Sequence, residues 1–186
     1  MVDRRVVSVN VGRATEWEWR GRRVRTAFLK SGIPGRVALG VTGLAGDETG
    51  DPSVHGGPSQ AVYAYPSEHY EFWRSEVSDP SLPWGSFGEN LTTAGISESE
   101  VAPGDRLEIG DAELTVVRPR FPCFKLNVRF RSDRMLDTFA RAGRPGFYLS
   151  VARTGTVASG DAIRVRWGPR PAASILELFL PARATT

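Results

Sequence analysis

Apolar and polar positions alternate in short runs along most of the chain, and this period of two predicts strands. Arg5 to Val11 is rich in β-branched residues and stops at Gly12. Glu16 to Arg20 and Arg22 to Leu29 flank Gly21 and suit a hairpin. Val37 to Val41 is a further short apolar run. The clearest hairpin joins Arg106–Ile109 to Ala112–Val117 through Gly110-Asp111. There Leu107 and Ile109, then Ala112, Leu114 and Val116, alternate with polar neighbours. Tyr148 to Ala152 and Ala162 to Trp167 complete the predicted strands.

In two places a spacing of three to four replaces the alternation. Tyr70, Trp73 and Val77 share one face of a helix predicted over Ser67–Val77, with Pro66 at its first position. Met135, Leu136 and Phe139 stripe a second helix, capped by Ser132 and stopped by Gly143. Both stripes read as core faces rather than sites. Near the end, Ile175, Leu176, Leu178, Phe179 and Leu180 suit one short helix, packed on the domain or on a partner.

Many short strands, 20 glycines, 13 prolines and few helices predict a mainly β fold, a barrel or sandwich with helices on its flank. A length of 186 residues suits one domain over 1–170, followed by a tail over 171–186. A single cysteine excludes an internal disulfide. The N-terminus runs into a strand rather than a secretory apolar core, and no apolar run approaches the ~20 residues of a membrane span. A soluble, cytoplasmic protein without membrane contact is expected. Gly46 to Gly57 is a long loop of the kind that is often functional.

Net charge is +3, from 24 basic and 21 acidic residues, which is too mild to announce a nucleic-acid binder. The basic residues nevertheless cluster. Arg20, Arg22, Arg23 and Arg25 lie near Trp17 and Trp19 and read as the solvated face of a hairpin. The other cluster surrounds Cys123: residues 118 to 131 hold five cations and no acid. A thiolate is the form that attacks or binds metal, and nearby positive charge favours it. Pro119 and Pro122 keep the chain extended just before the cysteine, so the segment reads as a rigid cationic loop presenting one soft ligand. The alternative is that Cys123 is a small buried hydrophobe.

Three groups of residues come in a fixed order. The first is Gly43-Leu-Ala-Gly-Asp47, Val54-His-Gly-Gly-Pro-Ser-Gln60 and Tyr65-Pro-Ser-Glu-His-Tyr-Glu-Phe-Trp73. The second is Phe87-Gly-Glu-Asn-Leu-Thr-Thr93. The third runs from Pro103-Gly-Asp-Arg106 through the hairpin to Pro119-Arg-Phe-Pro-Cys-Phe-Lys-Leu-Asn127. Together they resemble the MOSC domain, in particular its stand-alone bacterial YiiM-like type, over about residues 26–166. The resemblance implies a MOSC-type β-barrel with a few short flanking helices. It implies the molybdenum cofactor as ligand, a pterin dithiolene carrying molybdenum and a phosphate. It also implies reduction of small N-hydroxylated compounds, including hydroxylaminopurine-type base analogues, with Cys123 as the sulfur ligand to molybdenum.

The surrounding residue types suit those roles. Thiolate is a soft donor. Arg120 and Lys125 can hold the thiolate charge or meet a phosphate, one as a bidentate fork and one as a point charge. Asn127 can give and accept hydrogen bonds at a pterin edge. Gly56 and Gly57 let backbone N–H groups approach an anion. His55 can shuttle a proton, or merely bond its own loop. Asn90 can orient cofactor or substrate, and Lys30 matches a basic position of the family that suits a phosphate contact. His69 reads as structural, Asp47 as closing a turn, and Glu89 as a buried hydrogen-bonding partner.

Three functions compete. The first is a molybdenum-dependent reductase, with Cys123 and His55 as its catalytic residues. The chain has no cysteine cluster for an iron–sulfur centre and no dinucleotide fingerprint, so its electrons would come from a separate protein. The second is a non-enzymatic carrier that holds the cofactor or a persulfide on Cys123. The third, ranked last, is a nucleic-acid binder using the two arginine-rich segments. Pro34-Gly-Arg36 is looser than the family pattern. A homodimer through an edge strand or the apolar tail is also compatible.

Overall fold

The structure is a computed structural model and describes residues 3–49 and 56–182. The chain begins with β1 (Arg5–Val11), the hairpin β2 (Thr15–Trp19) and β3 (Arg22–Thr26), and the short strands β4 (Ser31–Gly32), β5 (Val37–Gly40) and β6 (Gly43–Leu44). A turn of 3-10 helix at Pro58–Gln60 leads to β7 (Val62–Pro66), α1 (His69–Glu76), β8 (Leu91–Ala94), β9 (Arg106–Ile109) and β10 (Ala112–Pro119). The rest is α2 (Lys125–Phe130), α3 (Met135–Ala142), β11 (Phe147–Arg153), β12 (Gly155–Val157), β13 (Ile163–Arg166) and α4 (Ile175–Ala182).

Eight strands form the main sheet in the order β13-β9-β10-β11-β7-β8-β1-β4. Its pairings are antiparallel except β7–β8, whose parallel register requires the crossover that contains α1. A smaller sheet, β12-β5-β6, and the separate β2–β3 ribbon complete the strands.

The fold is mainly β with few short helices, as expected, but the sheet does not close into the expected barrel. Its sides meet at one isolated bridge, Arg5 to Ala162, flanked by bonds from Val6 N–H to Asp161 O (2.9 Å) and Ile163 N–H to Arg4 O (2.8 Å). The same side of β1 is claimed at its other end by β4, which pairs at Asn10 and Val11. Too little of β1 is left free for a full ladder.

Aliphatic side chains of the main sheet pack into one core, with Val9, Val62, Leu107, Leu114 and Leu149 at its centre. A second, aromatic cluster lies between the sheet and α1 and α3, around Tyr65, Tyr70, Trp73, Phe87 and Phe139. Trp73 and Phe139 stack with ring centroids 5.5 Å apart.

Some local expectations shift. Pro66 ends β7 rather than starting the helix, which begins at His69. Ser132 gives no side-chain cap to α3; its carbonyl accepts from Met135 N–H at 3.3 Å. Gly143 does stop that helix, at φ 65°. The tail packs on the domain: Ile175 and Phe179 are buried, and Phe179 stacks on Phe121 at 5.7 Å. Among the described residues, no helix is long and apolar enough to cross a membrane.

Candidate functional site

Three separate stretches of chain converge on one cavity. The first is the segment between β3 and β4, which carries Phe28 and Lys30. Gly12 lets β1 run against it: a Cβ at Gly12 would lie 2.5 Å from the Leu29 carbonyl oxygen and 2.8 Å from that of Ala27. The second is the loop after β6, which carries Asp47. The third is the end of β10 and the entry to α2, which carry Arg120, Cys123 and Lys125. The β10–β11 register shifts between Val116 and Arg118, an irregularity that re-aims the strand end just before Arg120. The cavity holds about 180 Å³, far more than a single buried water needs.

Lys30 is buried at 8% exposure and ion-pairs with Asp47. Burial lowers the Lys30 pKa, and the Asp47 and Glu89 carboxylates work against that shift. Asp47 is a hub rather than the local turn expected of it. Its Oδ1 also accepts from Gly12 N–H at 2.8 Å, and its Oδ2 accepts from Asn90 Nδ2 at 2.8 Å. Asn90 in turn accepts from Tyr63 N–H through Oδ1 at 3.1 Å. Most of its bonding capacity is thus spent on the protein. It lines the cavity and holds Asp47, which holds Lys30.

Arg120 is 4% exposed and lies over three rings, Phe28, Tyr63 and Phe139, with its guanidinium carbon 5.2–5.3 Å from each centroid. Burial opposes its charge, but neighbouring Tyr63, Cys123 and Tyr148 outweigh that and raise its pKa above the ordinary arginine value. Its Nη1 is buried without a hydrogen-bond partner. Other buried arginine nitrogens without partners among the described residues are all Nε atoms. A terminal nitrogen left unpaired costs free energy until something accepts from it, so Arg120 suits an anionic or acceptor-bearing ligand.

Cys123 is half-buried at the cavity, two residues before α2 begins, with exposed Phe121 and Phe124 nearby. The rigid loop expected here is thus the entry to a short helix.

Of the other residues singled out from sequence, Lys125 and Gly56 line the cavity. Gly57 does not; at φ 82° it precedes the 3-10 turn. Asn127 does not either. Its Oδ1 accepts from Leu136 N–H at 2.7 Å and its Nδ2 donates to the Asp133 carbonyl at 3.2 Å, so its amide ties α2 to α3. His55 lies outside the described residues. His69 is buried against Glu98 with Nε2 at 2.9 Å from both carboxylate oxygens, away from this cavity. Glu89 is buried and accepts from Gly85 and Phe87 N–H and from the Tyr70 and Thr92 hydroxyls. Phe28 and Tyr63 were missed as site residues, because as aromatics in an apolar context they look like core.

The profile of the MOSC domain family matches residues 51–164, more than half of the chain. The chain belongs to the MOSC domain family. Relatives agree. Protein YflK of Bacillus subtilis (strain 168) is 38% identical over 155 residues, covering 83% of this chain and 70% of YflK. Protein YiiM of Escherichia coli (strain K12) is 39% identical over 139 residues, covering 74% of this chain and 62% of YiiM. A protein of Gibberella moniliformis (strain M3125 / FGSC 7600) named "Reductase" is 40% identical over 167 residues; these cover 88% of this chain but 30% of that protein. The crystal structure of YiiM from Geobacillus stearothermophilus superposes with a TM-score of 0.80 at 28% identity, covering 98% of this chain and 85% of that one. This is a MOSC protein of the YiiM-like type. Its cavity draws on both sides of the matched boundary: Lys30 and Asp47 precede residue 51, whereas Arg120, Cys123 and Lys125 follow it.

The MOSC cavity therefore unites one accessible thiol, three cations and an aromatic wall. That donor set fits an anionic, sulfur-bearing or metal-bearing group: a soft donor for the metal, and fork and point charges for the anion. It contains no cluster of His, Cys, Asp and Glu suited to hold a bare metal ion by itself, among the described residues.

Proposed function

We propose that this MOSC protein binds the molybdenum cofactor in the Lys30–Arg120–Cys123 cavity and reduces small N-hydroxylated compounds, hydroxylaminopurine-type base analogues among them. The observation that carries this reading is that Arg120, buried with its Nη1 unpartnered, lines the same cavity as Cys123. The name "Reductase" on a relative 40% identical supports the reaction class. When bound, the cofactor supplies oxygen-atom and two-electron chemistry.

In this reading each residue has a distinct task. Cys123 Sγ is the soft donor to molybdenum. Arg120 offers its free N–H to an anionic group, and its three-ring cage keeps the guanidinium plane in place. Lys30 and Lys125 add point charges that suit a phosphate. Asp47 and Asn90 keep Lys30 oriented, and Gly56 allows close backbone approach. His55 gives the proton to the departing oxygen. Electrons come from a separate protein, and the protein works in the cytoplasm.

Metal analysis of protein purified without oxygen from a host that makes the cofactor tests this, beside Cys123→Ser. Near-stoichiometric molybdenum in the wild type, lost in a folded Cys123→Ser variant, is the expected result. A well-folded wild type without molybdenum overturns it. A persulfide on Cys123 would then favour the carrier reading.

A further inference from the structure

Charge is segregated on this molecule far more than its net value suggests. Residues 118–144 hold eight arginines and lysines against Asp133 and Asp137; setting aside buried Arg120 and Arg144, which is spent on His69, six cations face two acids. The segment runs from the end of β10 through Cys123 to α2 and α3. Arg131 and Arg134 are exposed at the α2–α3 turn. The β2–β3 ribbon adjoins the same face, because Arg20 at its tip ion-pairs with Asp133 in that turn; Arg22, Arg23 and Arg25 are exposed along it, opposite Trp19, Glu18 and Glu16.

Within this cationic field lie two large exposed apolar side chains, Phe121 (39%) and Phe124 (50%), on either side of Cys123. Phe121 stacks on Phe179 of α4, where Leu178 and Leu180 are also exposed. An aromatic centre with an arginine border has the composition of a protein–protein contact. A long polyanion fits less well, because the arginines of the ribbon lie opposite Glu16 and Glu18. A compact acidic patch covers the cations alone.

Building on the reductase reading, we propose that this face is the docking surface for an acidic protein that delivers electrons to the Cys123 cavity. Cleavage of the N–O bond of an N-hydroxylamine consumes two electrons and two protons and releases an amine and water, so the docked carrier is oxidised by two electrons per turnover. Docking around Cys123 brings its redox centre to the cavity mouth.

The test is calorimetric titration of the intact protein with an acidic flavodoxin at low and high salt, beside a basic cytochrome c. Binding of flavodoxin at low salt, its loss at high salt and no binding of cytochrome c are expected. Arg131→Glu with Arg134→Glu should weaken binding about tenfold or more, through loss of complementary charge. Phe124→Ala should weaken it independently of salt, and Arg164→Glu on β13 should leave it unchanged. No flavodoxin binding at low salt, or wild-type affinity in the folded double variant, overturns the proposal. So does a single-stranded oligonucleotide that binds more tightly and displaces flavodoxin. Molybdenum content of the same preparations reports on the reductase reading separately, so the two failures are told apart.

Discussion

His69, Glu98 and Arg144 form one group of ionisable side chains inside the protein; Lys30, Asp47 and Arg120 form another. In the first, His69 Nε2 donates to Glu98, Arg144 Nη1 donates to His69 Nδ1 at 3.1 Å, and Gly146 N–H donates to Glu98 Oε1 at 2.7 Å. Both ring nitrogens and both carboxylate oxygens are used, and of the group's buried side-chain nitrogens only Arg144 Nε lacks a partner. The second group is equally dense around Asp47, yet its unpaired nitrogen is a terminal one, Arg120 Nη1, and the group borders a cavity with a thiol. Buried polar groups that satisfy one another hold a fold together. One left unsatisfied beside open space is held ready for a ligand.

Four substitutions test this contrast, in descending order of their effect on stability. Glu98→Ala removes the acceptor of both His69 and Gly146 and should cost about 3 kcal/mol, read by denaturant unfolding, with molybdenum content per folded chain unchanged. Equal loss of molybdenum would erase the distinction between the two groups.

Asp47→Asn leaves Lys30 buried without its counter-charge and should cost about 2 kcal/mol at neutral pH. Burial depresses the Lys30 pKa, so the folded chain holds that proton less tightly than the unfolded chain. Stability therefore rises with pH between the depressed value and the ordinary lysine value. Without Asp47 the Lys30 pKa falls further, so the deficit of the variant should shrink as pH climbs toward the depressed wild-type value, below that window, seen as converging melting temperatures. A constant deficit would mean that Lys30 is not its origin.

Asn127→Ala should cost about 1 kcal/mol, the worth of the α2–α3 tie, and leave cofactor retention intact. Arg120→Met should have the smallest effect on stability, from none to a gain of about 1 kcal/mol, because an apolar side chain in the three-ring cage removes an unpaired buried group. It should nevertheless abolish molybdenum retention. A strongly destabilised Arg120→Met would make Arg120 part of the scaffold.

How far sequence reasoning reached depended on how local each signal was. The Arg106–Val117 hairpin and the α3 stripe were legible because alternation and three-to-four spacing express burial on one face only. Strand β7 gave no such signal, since all five of its residues are buried and nothing alternates. Asn127 looked like a ligand because it sits next to the cysteine segment. In the helix that follows, its side chain turns to α3 instead. Asp47 looked like a turn residue because its partners, Lys30, Gly12 and Asn90, are far away in the chain.

Taken alone, the residues determined that this is a mainly β MOSC chain with one thiol in a cationic segment, because composition, short-range periodicity and motif order need no knowledge of contacts. Only the tertiary structure decided that Lys30 and Arg120 share a cavity with Cys123, that Asp47 is spent on holding Lys30, and that the sides of the sheet meet at one bridge rather than a full ladder. Those outcomes depend on which distant segments meet and on what each side chain finds when it arrives, and neither is written in any local stretch of chain.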